Sequence, residues 1–134
     1  MIVVDANVWL RALVDVTSRG DWCRKALATD PDWVVPGHCP LEVLRALGKY
    51  ELAGLLSRSA IDRFAQAVLM ASYRVVEPER TLLEYVWRMR HNVSVYDAPY
   101  LAIASRDGIP LATCDQRLAL MGQQLGIDLL TPDQ

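Results

Sequence analysis

The sequence predicts an α/β fold: a three-layer α/β/α sandwich around a central parallel sheet of four to five strands. Three observations carry this reading. Short apolar runs of strand length recur along the chain, and each leads into a stretch whose apolar residues repeat at helical spacing. The runs are apolar throughout, not alternating, as in strands covered on both faces. The chain has 134 residues, 52% of them hydrophobic, enough for one domain with a sizeable core, so 1–134 is read as a single unit.

The elements follow in order. "IVV" (2–4) is a buried strand. From Asn7 a helix runs over 7–16, with Val8, Trp9, Ala12, Leu13 and Val16 on one stripe. "GDWCRKALA" (20–28) is a second helix, and "DWVVP" (32–36) a strand closed by Pro36 and Gly37. "PLEVLRALGKYELAGLL" (40–56) is a helix opening on Pro40, a residue suited to a first turn. "SAIDRFAQAVLMA" (59–71) is another, with Ser59 as N-cap and Ile61, Phe64, Ala65, Val68 and Leu69 at helical spacing. "YRVVEP" (73–78) is the third strand. "ERTLLEYVWRMRH" (79–91) follows as a helix with Leu82, Leu83, Val86 and Trp87 turned inward. "YDAPYLAIASRDG" (96–108) is a helix stopped by Gly108. "IPLATC" (109–114) is the fourth strand, "DQRLALMGQQLG" (115–126) a helix and "IDLL" (127–130) the last strand. The helix pair between the second and third strands elaborates the alternating plan. No repeat, low-complexity segment or linker interrupts it.

Composition narrows the function. A net charge of −2 gives no global field to draw in nucleic acid, so a polyanion would be held by local positive charge or by bound metal. Of the basic residues only Lys25 and Lys49 are lysines, and arginine suits forked contacts to carboxylate or phosphate. Cys23, Cys39 and Cys114 are odd in number and form no C-x-x-C pair, which argues against a disulfide framework and a thiolate zinc site. Cys114 has no histidine near it in sequence and reads as a small buried thiol rather than a nucleophile. The N-terminus has no basic segment ahead of its apolar run, and no stretch is long enough to span a bilayer. A cytoplasmic protein with no membrane partner is expected.

The acids are the informative residues. In parallel α/β sheets, ligands bind beyond the carboxyl ends of the strands, where strand order reverses. Asp5 ends the first strand, and Asp115 follows the fourth at the equivalent place. Asp97 begins the helix feeding that strand, and Glu42 lies near the start of the helix after the second. Singly, each is explained as an N-cap or as a first-turn acid complementing the helix dipole. On one rim they are harder to dismiss: two charges ~5 Å apart repel by roughly 3 kcal/mol at an effective dielectric of 20. A divalent cation relieves that repulsion, and hard oxygen ligands select Mg²⁺ or Mn²⁺ over zinc.

"VVDANVWL", "LEVLRAL", "YDAPYLAIA" and "LATCDQRL" resemble, in that order, the acidic motifs of PIN-domain ribonucleases, and in particular of the VapC toxins of bacterial toxin–antitoxin pairs. The resemblance runs over essentially the whole chain. It implies a PIN-like fold and metal-dependent endoribonuclease activity leaving 5′-phosphate and 3′-hydroxyl ends. It carries over Asp5, Glu42, Asp97 and Asp115 as catalytic, Mg²⁺- or Mn²⁺-binding acids. Asn7 and Thr113 fall where that family has small polar residues beside its acids. It also implies a cognate VapB-type antitoxin, whose helical tail occupies an apolar groove, and a homodimer. Pro40 and Pro99 lie beside the motifs, in first turns where proline is tolerated.

Other residues take roles by position. Arg11, Arg45, Lys49 and Arg117 lie near the motifs and are the candidate rim cations, Arg45 and Arg117 foremost, for positioning RNA. Single-stranded loops are the expected substrate, because unstacked bases can be read where A-form grooves cannot. His38 is close enough to Glu42 to support it. The tryptophans read as core or interface anchors. Two other readings are weighed: a Mg²⁺-dependent phosphohydrolase or phosphoacceptor on a similar sheet, and an inactive PIN-like binding module. A haloacid-dehalogenase pattern needs an aspartate where Asn7 stands, and a receiver domain needs a lysine at a late strand end. An inactive module predicts a broken acidic set.

Overall fold

Strand pairing in the computed structural model, which describes residues 1–132, is parallel throughout. In chain order the elements are β1 (Ile2–Val4), α1 (Ala6–Val14), α2 (Ser18–Thr29), β2 (Trp33–Pro36), α3 (Cys39–Leu52), α4 (Arg58–Met70), β3 (Arg74–Val76), α5 (Arg80–Arg88), α6 (Ala98–Asp107), β4 (Leu111–Ala112), α7 (Gln116–Gln124) and β5 (Leu129–Leu130). The strands lie in the order β3-β2-β1-β4-β5, with helices on both faces. This is the α/β/α sandwich expected, with five strands.

The sheet order explains where a site can form. The chain builds outward from β1 to β2 and β3 on one side, then crosses to β4 and β5 on the other. The reversal falls between β1 and β4, where Val3 pairs with Leu111 and Val4 with Ala112. A crevice opens past the carboxyl ends of those two strands. Ile2, Val3, Val4, Leu111 and Ala112 are all buried, as two covered faces require.

Helix α6 runs against β1, β2 and β4. Every residue from Ala98 to Ala104 in it is buried, so it is apolar all round where it meets the sheet. Its N-terminus, at Asp97, is thereby fixed over the crevice. Pro40 and Pro99 sit in the first turns of α3 and α6, where no helical hydrogen bond is lost. Gly108 closes α6 in the left-handed conformation, φ 64°, that glycine adopts without strain.

Several sequence expectations shift. Helix α1 ends at Val14, and Val16 is exposed rather than on the buried stripe. Helix α3 ends at Leu52 and breaks at Gly54, which has a positive φ. The cap of α4 is Ser57, whose Oγ accepts from the Ala60 N–H at 3.2 Å, not Ser59. Leu69, Leu83 and Trp87 face outward while Val68, Leu82 and Val86 face the core. Trp9 is buried and packs edge-on against Trp33 and Tyr73, as a core anchor does. No helix among the described residues is long and apolar enough to cross a membrane.

Candidate active site

Asp5 stands at the N-cap position of α1 but does not cap it; no side-chain bond closes that helix end. Its carboxylate is buried and turns across the crevice, where Oδ2 accepts from the Thr113 hydroxyl at 2.7 Å. The Thr113 Oγ1 in turn accepts from the Asp115 N–H at 3.0 Å, so its one proton is committed to Asp5. The Asp5 N–H donates to the Ala112 carbonyl at 3.1 Å. The ends of β1 and β4 are therefore sewn together by backbone and side chain alike.

Burial drives the Asp5 carboxyl upward to about 7. The Thr113 hydrogen bond opposes this, and the charges of Asp97, Glu42 and Asp115 add to the rise. The same acids act on one another at Asp97: burial raises its pKa, as do Asp115 and Glu42, while Ser94 and His38 lower it. Helix starts and strand ends thus direct Asp5, Glu42, Asp97 and Asp115 toward one electrostatic neighbourhood.

Each acid has its own support. Asp97 is the N-cap residue of α6 and makes no capping bond with its side chain, leaving its carboxylate to the crevice. Its N–H donates to the Ser94 Oγ at 3.0 Å. Asp115 does cap α7: its Oδ1 accepts from the Arg117 and Leu118 N–H groups at 2.9 and 3.2 Å. The ordinary explanation for Asp115 is correct for that oxygen. Glu42 lies in the first turn of α3. Its Oε1 meets the Tyr100 hydroxyl at 3.3 Å and the His38 Nε2 at 3.1 Å. His38 Nε2 also lies 2.7 Å from the Tyr96 carbonyl, which can only accept, so Nε2 carries the hydrogen. Burial works against a charge on His38, but its bonds to Glu42 and Tyr96 outweigh that and raise its pKa.

The remaining predicted residues divide. Asn7 Oδ1 accepts from the Cys114 N–H at 3.2 Å, bracing the turn that follows β4. Arg117 is exposed and lines a groove of about 350 Å³ with Asp97, Asp115, Asn92 and Ser94. Arg45 and Lys49 are exposed on α3. Arg11 is committed to Asp15, at 3.0 Å, rather than to the crevice. Among the described residues, no three His, Cys, Asp or Glu side chains close into a metal-holding cluster.

A PIN domain model matches residues 2–123. The chain belongs to the PIN-domain family. Ribonuclease VapC3 of Mycobacterium tuberculosis is 32% identical over 122 residues, covering 88% of this chain and 85% of that protein. Ribonuclease VapC1 of the same organism is 55% identical over 38 residues, a stretch spanning 28% of this chain and only 29% of VapC1. Among solved structures, M. tuberculosis VapC20, a sarcin–ricin loop cleaving toxin, superposes with a TM-score of 0.70 at 22% identity, covering 91% of this chain and 95% of that one. VapBC2 of Rickettsia felis, bound to a promoter DNA fragment, gives 0.68 at 11% identity, with 98% of each chain covered. Those two likenesses show a shared fold.

Within this PIN domain, Tyr100 and Ser94 are site neighbours that the sequence reading passes over. A signal for Tyr100 exists: it lies three residues after Asp97, on the same helix face, with a hydroxyl inside an apolar run. Burial pushes its phenol far up, so the hydroxyl keeps its proton and donates it to Glu42. Ser94 carries no such mark, because the loop before α6 has no periodicity to place it.

Proposed function

We propose that this PIN-domain chain is a divalent-metal-dependent endoribonuclease of the VapC type, the toxin of a toxin–antitoxin pair, with Asp5, Glu42, Asp97 and Asp115 as its metal-holding acids. The observation that carries the reading is the buried Asp5 carboxylate, raised to about 7 by burial together with the charges of those three acids. Such an arrangement costs stability unless a cation shares it. The donors are all oxygen, which suits Mg²⁺ or Mn²⁺. Mg²⁺ retains several waters, so carboxylates that do not close into a direct cluster fit it through those waters. When bound, the cation supplies a hydroxide from water at neutral pH and positive charge opposite the phosphate.

The chain's own groups do the rest. Thr113 holds Asp5 in one orientation, and α7 holds Asp115 by Oδ1. Asp97 is half-buried with a raised pKa, which suits it to take the proton of an attacking water. Arg117 lies in the groove beside Asp97 and Asp115, where its fork can receive a backbone phosphate. Arg45 extends that contact along α3. The products are 5′-phosphate and 3′-hydroxyl ends. A VapB-type antitoxin would lay a helix into the groove of about 290 Å³ lined by Val14, Val16, Tyr50, Leu55 and Leu56. The chain acts in the cytoplasm as a homodimer.

Purified protein with Mn²⁺ should cut single-stranded RNA, and EDTA should abolish the cut. Asp97→Asn should lower the rate at least ~10²-fold, as loss of a catalytic acid does. Calorimetric titration with Mn²⁺ should show binding that Asp5→Asn and Asp97→Asn remove. Wild-type affinity in both variants would end the assignment of the acids.

A further inference from the structure

Cys23 and Cys114 are 91 positions apart in sequence, yet their Sγ atoms lie 3.4 Å from one another. Cys23 is fully buried on α2. Cys114 is half-buried on the turn between β4 and α7, with Thr113 and Asp115 on either side. Cys114 also lines a cavity of about 480 Å³, together with Thr113, Asp115, Gln116 and Leu129, which gives a small oxidant a route to its sulfur. Cys39 is no part of this pair: it is buried on α3 with its thiol turned to the Val4 carbonyl at 3.6 Å.

We propose that Cys23 and Cys114 form a dithiol–disulfide modification site, closed by hydroperoxides and opened by external thiols, which slows RNA cleavage when closed. The linkage itself does not depend on the nuclease reading; only its effect on cleavage does. In the first step the Cys114 sulfur attacks the peroxide O–O bond, giving a sulfenic acid and one water. In the second the Cys23 sulfur displaces that hydroxyl. The S–S bond forms, the S–O bond breaks, and the hydroxyl leaves as water with the Cys23 proton. Two thiols and one hydrogen peroxide thus become one disulfide and two waters. Exchange with an external dithiol reverses it.

The consequence follows from what Cys114 is attached to. Closing 3.4 Å to a disulfide length of ~2.05 Å moves the turn by roughly 1 Å. That turn is braced by the Asn7 Oδ1 contact to the Cys114 N–H. It also carries the Thr113 hydroxyl that holds Asp5 and receives the Asp115 N–H. A displacement of ~1 Å at a catalytic group costs on the order of 10²-fold in rate. Disulfides in reducing compartments are characteristically transient and sensing, which suits a bond that is made and broken.

The test treats the full-length protein with a small excess of hydrogen peroxide, blocks free thiols, and maps peptides by mass without reduction. The expected result is a Cys23–Cys114 cross-linked peptide two hydrogens lighter than the sum of its parts, removed by dithiothreitol, with Cys39 still alkylatable after unfolding. A sulfinic Cys114 beside a free Cys23, a linkage through Cys39, or no loss of thiols would overturn the site. Cleavage by the linked protein should fall at least tenfold and return with dithiothreitol. Cys23→Ser and Cys23→Ala, which alter no group of the acid crevice, should keep their rate through the same treatment. A linked protein that cuts at the full rate, or a Cys23 variant that is reversibly inactivated alike, would overturn the control of cleavage. If the reduced protein cuts no RNA at all, the nuclease reading fails and the peptide map still decides the linkage.

Discussion

Asp5 is a single buried carboxylate whose charge folding penalises. Its pKa rises from an ordinary 3.8 to about 7 on folding, so between those values the native state holds a proton that the unfolded state has lost. Stability from this group is complete below about pH 4 and is lost as pH climbs through 7. About three pK units correspond to at most ~4 kcal/mol, and relaxation of the site reduces that. Asp5→Asn keeps an oxygen for the Thr113 hydroxyl and removes the charge. In EDTA at pH 8 the variant is therefore expected to be more stable than the wild type by about 1–3 kcal/mol, a rise of several degrees in melting temperature. At pH 4 the difference should vanish. Other carboxylates, Asp15 and Glu79 among them, have pKa values lowered by hydrogen bonds and add their own pH dependence at the acid end, so the variant-minus-wild-type difference is the quantity to measure. An Asp5→Asn protein less stable than the wild type at pH 8 would mean that the buried charge is not a burden.

Helices α1 and α2 show how closely packing is specified here, and what a linear pattern conceals. Gly20 is buried on α2, and a Cβ there would stand 1.9 Å from the Asp15 carbonyl oxygen and 2.7 Å from its carbon. Backbone cannot yield as a side-chain tip can, so Gly20→Ala must splay the two helices. A loss of about 2–4 kcal/mol is expected, read as a lower denaturant midpoint with an unchanged slope. Gly54→Ala, strained only by its positive φ, should cost about 1 kcal/mol. Equal losses in the two would contradict the close approach. Gly20 reads from sequence as a plain helix start, since its neighbour Asp15 belongs to another element. The same limit applies elsewhere. Short runs apolar throughout disclosed the strands and the layered fold, because burial on both faces leaves that composition. They did not disclose the order β3-β2-β1-β4-β5, which depends on crossovers. On α5, Leu82, Leu83, Val86 and Trp87 form one apolar stretch, and only packing decides that Leu83 and Trp87 face out. The acids could be singled out as candidates because strand ends and helix starts mark a rim. The Tyr100–Glu42 and Cys23–Cys114 contacts were not, being 58 and 91 positions apart.

For the molecule as a whole, the proposed activity asks a chain of net charge −2 to bind a polyanion. The crevice itself is acidic, so on the proposed reading attraction falls to a few cations, Arg117 in the groove and the exposed Arg45 of α3. Binding to single-stranded RNA should then depend weakly on salt. Each neutralised phosphate contributes a slope of about −0.7 to log affinity against log salt. Contacts from two or three cations give a slope of roughly −1.5 to −2. Strongly basic binders, with many phosphate contacts, fall several times more steeply. Measured by fluorescence anisotropy in EDTA, where RNA is bound without being cut, Arg117→Ala should flatten the slope by about 0.7 and weaken binding for all sequences alike. A slope beyond about −4, or one untouched by Arg117→Ala and Arg45→Ala together, would place the RNA on another face. The groove that Arg117 lines also holds Asp97 and Asp115, so a phosphate received by Arg117 there lies beside both acids.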